Sequence, residues 1–261
     1  MIEMAKEKKM RKAIMIFFVV VFAANLTAQT PEILVQKCVD ALGGPEAVLK
    51  SQDYQAKGEI KVSMYRMELV GKLETIQKER KYWRRAEVTF GSETYVQLQA
   101  YDGEVAWMDR MGTIVDQPAL NSESDADHGF HLLIQEGSRF SFGKETEIEG
   151  RKAIGIEVDV NGKITTFFVD SETFLPLEMV YKDMYFGENF TKELLERRTR
   201  YSDYRNVEGV QFPMTVTLFQ EGRKLVEMHY DEVTFSPQVA LAKFQRPDQK
   251  LDLRYGEERI H

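Results

Sequence analysis

Residues 153–169 read AIGIEVDVNGKITTFFV, and this stretch predicts the kind of fold that the chain adopts. Apolar side chains occupy every second position on both sides of Asn161-Gly162, which is the period of a β-strand with one apolar face. Asn-Gly is the strongest short hairpin signal, because both central residues of a type I′ turn need positive φ. A two-residue loop here pairs Ile156 with Phe167, so we expect a hairpin whose one face is apolar along its whole length.

The same alternation extends over most of the chain after Tyr54. A second hairpin is predicted across Asp102-Gly103, with Leu98 facing Trp107 on one apolar side. Further strands are predicted at 55–64, 66–77, 78–88, 178–185, 214–219 and 224–235. Residues 188–205 are heavily charged and could form a helix, but the Arg- and Tyr-rich residues 200–205 favour a strand. The register of the last hairpin, near Glu221-Gly222, stays open because a two-residue loop leaves both of its faces mixed.

Helices are predicted at the start of this domain and in one later segment. Thr30-Pro31-Glu32 has the pattern of a helix N-terminus, and Gly43-Gly44 ends that helix before a second short one begins at Pro45. Residues 117–137 are polar and acidic at first and apolar at the end, which predicts a loop and a short helix across one opening of the sheet. We call residues 117–137 the lid segment.

The first 28 residues have the composition of a signal peptide. Five Lys or Arg and two Asp or Glu precede Ala13, and an apolar run of about a dozen residues follows, too short to cross a bilayer comfortably. Cleavage is expected near Ala28, with an uncleaved N-terminal anchor as the alternative. We therefore expect three parts: a signal peptide at 1–28, one domain at 31–247 and a polar tail at 248–261.

Charge and cysteine content exclude several function classes. The formal charge of the chain is −7, and removal of a leader with a net charge of +3 would bring it to about −10. An acidic domain does not favour nucleic acid or an anionic membrane surface as a partner. The single cysteine, Cys38, lies away from the expected cleavage site and cannot form an intrachain disulfide. We expect no lipid anchor and a buried Cys38, with a reactive thiol as the alternative.

Several motifs, in order along the chain, carry a resemblance to a known family. They are ALGGPEA at 41–47, YDGEVAW at 101–107, YSDYRNVEGVQFP at 201–213, EVTF at 232–235 and FQRP at 244–247. Together they resemble the periplasmic lipoprotein-carrier (LolA/LolB-like) family, and more broadly the exported outer-membrane lipoprotein-sorting-like proteins. The resemblance implies a periplasmic protein with a mainly β (α+β) fold, an incomplete and strongly curved antiparallel half-barrel. It also implies that the N-terminal helices and a short lid helix cover a concave face that binds acyl chains.

The residues themselves also suggest an apolar cavity. A sheet with one apolar face must bury that face, and only the N-terminal helices and residues 130–136 are available to cover it. The chain contains 12 Met and 16 Phe, which can form flexible, polarizable walls. The alternative is that these side chains only pack on one another. The candidate cavity-lining residues are Trp83, Leu98, Trp107, Leu133, Phe167, Met179, Met214 and Met228.

Sites of other kinds find little support in the sequence. Asp125, Asp127, His128 and His131 form the one ligand-like cluster, and His128 and His131 could share a helix face. No third ligand is fixed by a helix, so we expect no metal. Neither a nucleophile elbow nor a Gly-rich phosphate loop is present, so we expect no catalytic residues and no cofactor.

Three functions follow, in order of preference. The first is a non-enzymatic exported carrier or binding protein for acylated ligands, which are lipoproteins or lipids. The second is an envelope protein-interaction or sensor module, whose half-barrel is filled by its own side chains. The third is a hydrolase that uses His128 and His131. For all three we expect a monomer.

Overall fold

The computed structural model describes residues 30–64, 67–110, 112–116, 129–186 and 192–247. The signal peptide predicted at 1–28 and the tail predicted at 248–261 lie outside these residues, as does the greater part of the lid segment. The described residues form one antiparallel sheet of thirteen strands and two α-helices. This is the mainly β, curved and open sheet that the sequence predicts.

The two helices have the termini that the sequence indicates. Helix α1 spans Pro31–Ala41, and the Thr30 side chain accepts a hydrogen bond from the Ile33 N–H at 3.4 Å. Gly43 (φ +111) and Gly44 (φ +93) follow the end of α1 in conformations that favour glycine. Helix α2 then spans Pro45–Lys50.

The strands follow one another along the chain as hairpins. They are β1 Tyr54–Met64, β2 Met67–Lys78, β3 Lys81–Phe90, β4 Glu93–Tyr101, β5 Ala106–Arg110, β6 Thr113–Asp116, β7 Arg139–Ile148, β8 Arg151–Val160, β9 Lys163–Asp170, β10 Pro176–Phe186, β11 Lys192–Val207, β12 Val210–Gln220 and β13 Arg223–Phe235. Their order in the sheet is β6-β5-β4-β3-β2-β1-β13-β12-β11-β10-β9-β8-β7. The first and last strands of the chain therefore meet in the middle, and β6 and β7 form the two edges.

The hairpin predicted across Asn161-Gly162 is confirmed. Ile156 pairs with Phe167, and both turn residues have positive φ, 53° for Asn161 and 83° for Gly162. The register predicted for the second hairpin is wrong, because Trp107 pairs with Ala100 and not with Leu98. The Asp102 carboxylate accepts hydrogen bonds from the N–H groups of Glu104 and Val105. Residues 102–105 therefore form the loop, and the centre of the turn lies one position further along the chain than predicted. Leu98 and Trp107 still share a face.

The sheet has a concave face, which the helices cover, and a convex face. Side chains of α1, among them Leu34 and Cys38, join one apolar core with concave-face residues such as Phe212 and Tyr230. Leu42, between α1 and α2, lies beside the start of β12, because the Gln211 N–H donates to its carbonyl at 3.0 Å. We call this the lower end of the sheet, and the end with the turns at 90–93, 160–163 and 220–223 the upper end.

Two glycines on the concave face let neighbouring strands approach closely. A Cβ at Gly58 would lie 1.9 Å from the backbone O of His229, and a Cβ at Gly71 would lie 1.8 Å from the backbone O of Glu87. Gly58 also lies where the pairing of β1 with β13 shifts register. A glycine at such a point removes the side chain that would oppose the bend.

The turn between β9 and β10 is built on a buried carboxylate. Asp170 accepts hydrogen bonds from the N–H groups of Glu172 and Thr173 and from the Thr173 hydroxyl, at 2.7–3.0 Å. Arg151 forms an ion pair with it at 2.9 Å. Burial raises the pKa of Asp170, but these hydrogen bonds and Arg151 outweigh it, so that the pKa lies below its ordinary value of 3.8.

We expect Asp170→Asn to lower the free energy of unfolding by about 1–3 kcal/mol, because the amide loses the charge-assisted hydrogen bonds. A carboxylate with a lowered pKa stabilises the fold above its unfolded-state pKa, and this contribution disappears as the pH falls through the folded-state pKa. Urea denaturation should therefore show a smaller difference between the variant and the wild type at pH 3 than at pH 7. An equal difference at both pH values would contradict this account.

Candidate functional site: the concave face of the sheet

The lower half of the concave face is filled by the protein itself where β9, β10 and β11 lie. The described part of the lid segment, residues 129–137, contains a short 3₁₀ helix, Phe130–Leu133. The centroid of the Phe130 ring lies 5.0 Å from that of Tyr201 and 6.5 Å from that of Phe167. Gly129 precedes this helix with φ +71, and a Cβ there would lie 2.4 Å from the Met179 sulfur. The short helix and α1 thus pack directly on the sheet.

The upper half of the concave face carries half-buried apolar side chains. In the register of the sheet, Leu69 pairs with Val62, Val62 with Val226, and Val226 with Leu218. These four side chains therefore form one row across β2, β1, β13 and β12, and each is only partly buried. We call Leu69, Val62, Val226 and Leu218 the apolar row.

The eight candidate cavity residues are all buried, but they lie on two faces. Five of them are part of the concave-face core, with relative exposures between 0% and 3%. These five are Leu133, Phe167, Met179, Met214 and Met228. These side chains are surrounded by other protein side chains. The ligand contact predicted for them stays a prediction.

The other three candidates lie on the convex face. Trp83, Leu98 and Trp107 form a separate core with Phe244 from the C-terminal 3₁₀ helix Leu241–Phe244. The Trp107 indole N–H donates to the Phe244 carbonyl at 3.0 Å, and the Lys243 ammonium lies 3.9 Å from the Trp83 ring centroid. These three side chains therefore share no surface with the other five.

The sequence did not predict the apolar row, although it contains a signal for part of it. Ile60 and Val62 alternate on β1, and Leu69 and Leu73 alternate on β2, so that each strand shows an apolar face. Val226 and Leu218 were obscured by a register shift between Leu218 and Phe219, which a two-residue turn does not predict.

The candidate metal-binding cluster and Cys38 do not form a reactive site within the described residues. Asp125, Asp127 and His128 lie outside the described residues, and within the described part of the chain no three His, Cys, Asp or Glu side chains come together as a metal site. Cys38 is fully buried on α1, as predicted, and burial raises the pKa of its thiol far above the ordinary range. Such a thiol is a packing group.

The convex face has a polar groove of about 330 Å³ across β7 to β11. At its centre the Glu178 side chain, 3% exposed, forms ion pairs with Arg198 at 3.4 Å and with Arg200 at 2.9 Å. Both oxygens of Glu178 are thereby paired, so the carboxylate is a structural element of this face.

Comparisons with known proteins give the fold. No protein-family model matches the sequence, and no curated protein matches it. Among solved structures, a LolA superfamily protein from Nitrosomonas europaea matches with 12% identity and a TM-score of 0.53, over 84% of this chain and 99% of that one. The chain therefore has the fold of a LolA superfamily protein, as the sequence motifs suggest.

Two further solved structures are similar over most of their lengths. One is an outer-membrane lipoprotein-sorting protein domain from Vibrio parahaemolyticus, with 13% identity, a TM-score of 0.48, and coverage of 76% of this chain and 93% of that one. The other is a DUF1329 family protein from Desulfovibrio piger, with 13% identity, a TM-score of 0.49, and coverage of 83% and 98%. Within the described residues, no helix has the length and apolar character needed to cross a membrane.

Proposed function

We propose that this protein is an exported, non-enzymatic carrier or binding protein for acylated ligands, either lipoproteins or lipids, and that it acts in the periplasm after removal of residues 1–28. The observation that carries the proposal is the apolar row on the upper concave face. Its four side chains adjoin one another across four strands, face the interior of the half-barrel and are only half-buried. An apolar surface of this shape, left incompletely covered, is suited to a hydrocarbon chain.

Energetics support a ligand of this class. Each buried methylene contributes about 0.8 kcal/mol, so a sixteen-carbon chain offers on the order of 12 kcal/mol before the cost of association. Ordering and association take back several kcal/mol. One acyl chain therefore can bind with useful affinity through apolar contact, and an acidic protein can hold it without a positively charged surface.

We expect Leu218→Asp to reduce the affinity for a fluorescent fatty acid at least tenfold, because a carboxylate in the apolar row would lose hydration whenever an acyl chain covers it. The matched control is Thr217→Asp, which puts the same charge on the neighbouring, convex-facing position of β12. Fluorescence titration of the delipidated domain measures both. Equal uptake by the two variants would contradict a ligand site at the apolar row.

The second candidate function is an envelope protein-interaction or sensor module. The filled lower half of the concave face favours it, because Phe130, Phe167 and Tyr201 pack in ring contacts that leave this part occupied by the protein. Native mass spectrometry of the freshly purified domain distinguishes the two functions. Bound lipid would appear as added mass for a carrier, whereas a module with a self-filled half-barrel would carry none, even after incubation with lipid.

A further inference from the structure

Arg84 is one of two arginines on the concave face, with Arg197, whose Nε has no hydrogen-bond partner among the described residues. In the register of β2, β3 and β4, Arg84 pairs with Thr75 and Gln99, which places it on the concave face with Leu73 and Ala86. It is half-buried, and its Nε is shielded from solvent without a hydrogen-bond partner among the described residues. A buried guanidinium N–H without an acceptor costs free energy unless a ligand supplies one.

Among the described residues, the concave-face positions around Arg84 on β2, β3 and β4 are mostly polar and include no acid. The neighbouring concave-face positions on β2, β3 and β4 are Thr75, Gln77, Tyr82, Ala86, Gln97 and Gln99. The next residue, Arg85, points to the convex face and forms an ion pair with Glu87. Arg151, Arg198 and Arg200 likewise pair with carboxylates. In a chain with a net charge of −7, an arginine whose described neighbours on β2, β3 and β4 include no acid on its own face leaves a place for an external anion.

The positive charge of Arg84 is directed into the half-barrel. Burial raises the pKa of the Tyr230 hydroxyl on the same face, and the charge of Arg84 acts in the opposite direction. Tyr230 is 1% exposed and belongs to the concave-face core. Arg84 thus lies where the polar region of the concave face adjoins the apolar one.

Arg84 and the apolar row are also separated by a suitable distance. Arg84 pairs with Thr75 of β2, and Thr75 pairs with Ala56 of β1. Val62 of the apolar row is six residues further along β1 than Ala56, which corresponds to about 20 Å at the rise of a β-strand. This separation is comparable with the length of a long acyl chain. The concave face therefore has an apolar part and a cationic part within the reach of one amphipathic molecule.

We infer that the ligand is an anionic amphiphile, whose phosphate or carboxylate binds Arg84 while its acyl chain lies along the concave face toward the apolar row. The guanidinium offers a planar set of donors that matches either anion, with Thr75 and Gln99 beside it as neutral hydrogen-bonding groups. This inference rests on the proposed function and adds to it the charge of the ligand and the residue that recognises it.

The test compares ligands with the same sixteen-carbon chain by isothermal titration calorimetry on the delipidated domain. The probes are hexadecyl phosphate, palmitate and the uncharged 1-monopalmitoylglycerol, all below their critical micelle concentrations. We expect the wild type to bind both anionic probes about tenfold or more tightly than the uncharged one. Arg84→Gln should remove this preference, whereas Arg85→Gln should keep it.

Each other outcome has a separate meaning. If the wild type binds all three probes equally, the inference fails and the proposed function stands; if it binds none, the proposed function fails as well. Arg197 also lies on the concave face with an unpartnered Nε among the described residues, so loss of the preference in Arg197→Gln but not in Arg84→Gln would overturn the assignment to Arg84. Inorganic phosphate that binds as tightly as hexadecyl phosphate would overturn the requirement for an acyl chain.

Discussion

Gly58→Ala is expected to lower the free energy of unfolding by about 3 kcal/mol or more, at the upper end of the range for overpacking. The new Cβ would lie 1.9 Å from the backbone O of His229, and no side-chain rotation can relieve a contact with backbone. Strands β1 and β13 would have to separate, and they hold the two parts of the sheet together. Urea denaturation followed by circular dichroism measures the loss.

Gly91→Ala is the control for this experiment. Gly91 lies in the turn between β3 and β4 with φ +62, and a Cβ there would meet nothing within 4 Å. Its cost should be limited to about 1 kcal/mol for an alanine in the left-handed region. Similar losses for Gly58→Ala and Gly91→Ala would show that the close approach of β1 and β13 does not limit the substitution.

Trp107→Ala is expected to destabilise the protein by about 3–5 kcal/mol and to leave the acyl-ligand affinity of the folded fraction unchanged. Trp107 is 2% exposed and its indole donates to the Phe244 carbonyl, so truncation opens a cavity under the C-terminal 3₁₀ helix. The ligand proposed for the concave face lies on the opposite side of the sheet. Thermal unfolding and fluorescent fatty-acid titration measure the two properties separately.

A milder variant keeps this prediction testable if Trp107→Ala does not fold. Trp107→Phe retains most of the buried area and removes only the hydrogen bond to Phe244, which should cost about 1–2 kcal/mol. Fatty-acid affinity should again equal that of the wild type. A clear loss of affinity in a folded Trp107→Phe protein would show that the convex-face core takes part in ligand binding.

Local chemistry in the sequence was sufficient to predict most elements of the fold. Thr30 and Pro31 start α1, the two glycines after it end the helix, and Asn161-Gly162 turns the central hairpin in the predicted register. The strand predicted at 188–205 is also confirmed over its described residues, which belong to β11, Lys192–Val207. Each of these signals acts within a few residues, which is why a single sequence contains it.

The arrangement of the candidate site could not be predicted in the same way. Alternation shows that Leu98 and Trp107 share a face, but it does not show which face of the sheet the helices will cover. Phe244, which covers Trp107 on the convex face, comes from a segment more than 130 residues further along the chain. Register shifts, such as the one after Leu218, likewise depend on tertiary packing.

The pairing of β1 with β13 has a consequence for how the molecule folds. Tyr54 meets Phe235 across almost the whole length of the domain, so this central pair cannot form until the last strand is available. Such non-local pairing requires closure of a very long loop and is typical of slow folding. Strands β2 to β6 and β7 to β12 can form local hairpins early, but they become one sheet only when β13 joins β1. A chain that folds in this order remains incompletely folded until β13 has been synthesised, and until then its apolar strands are exposed to any protein that binds unfolded polypeptides.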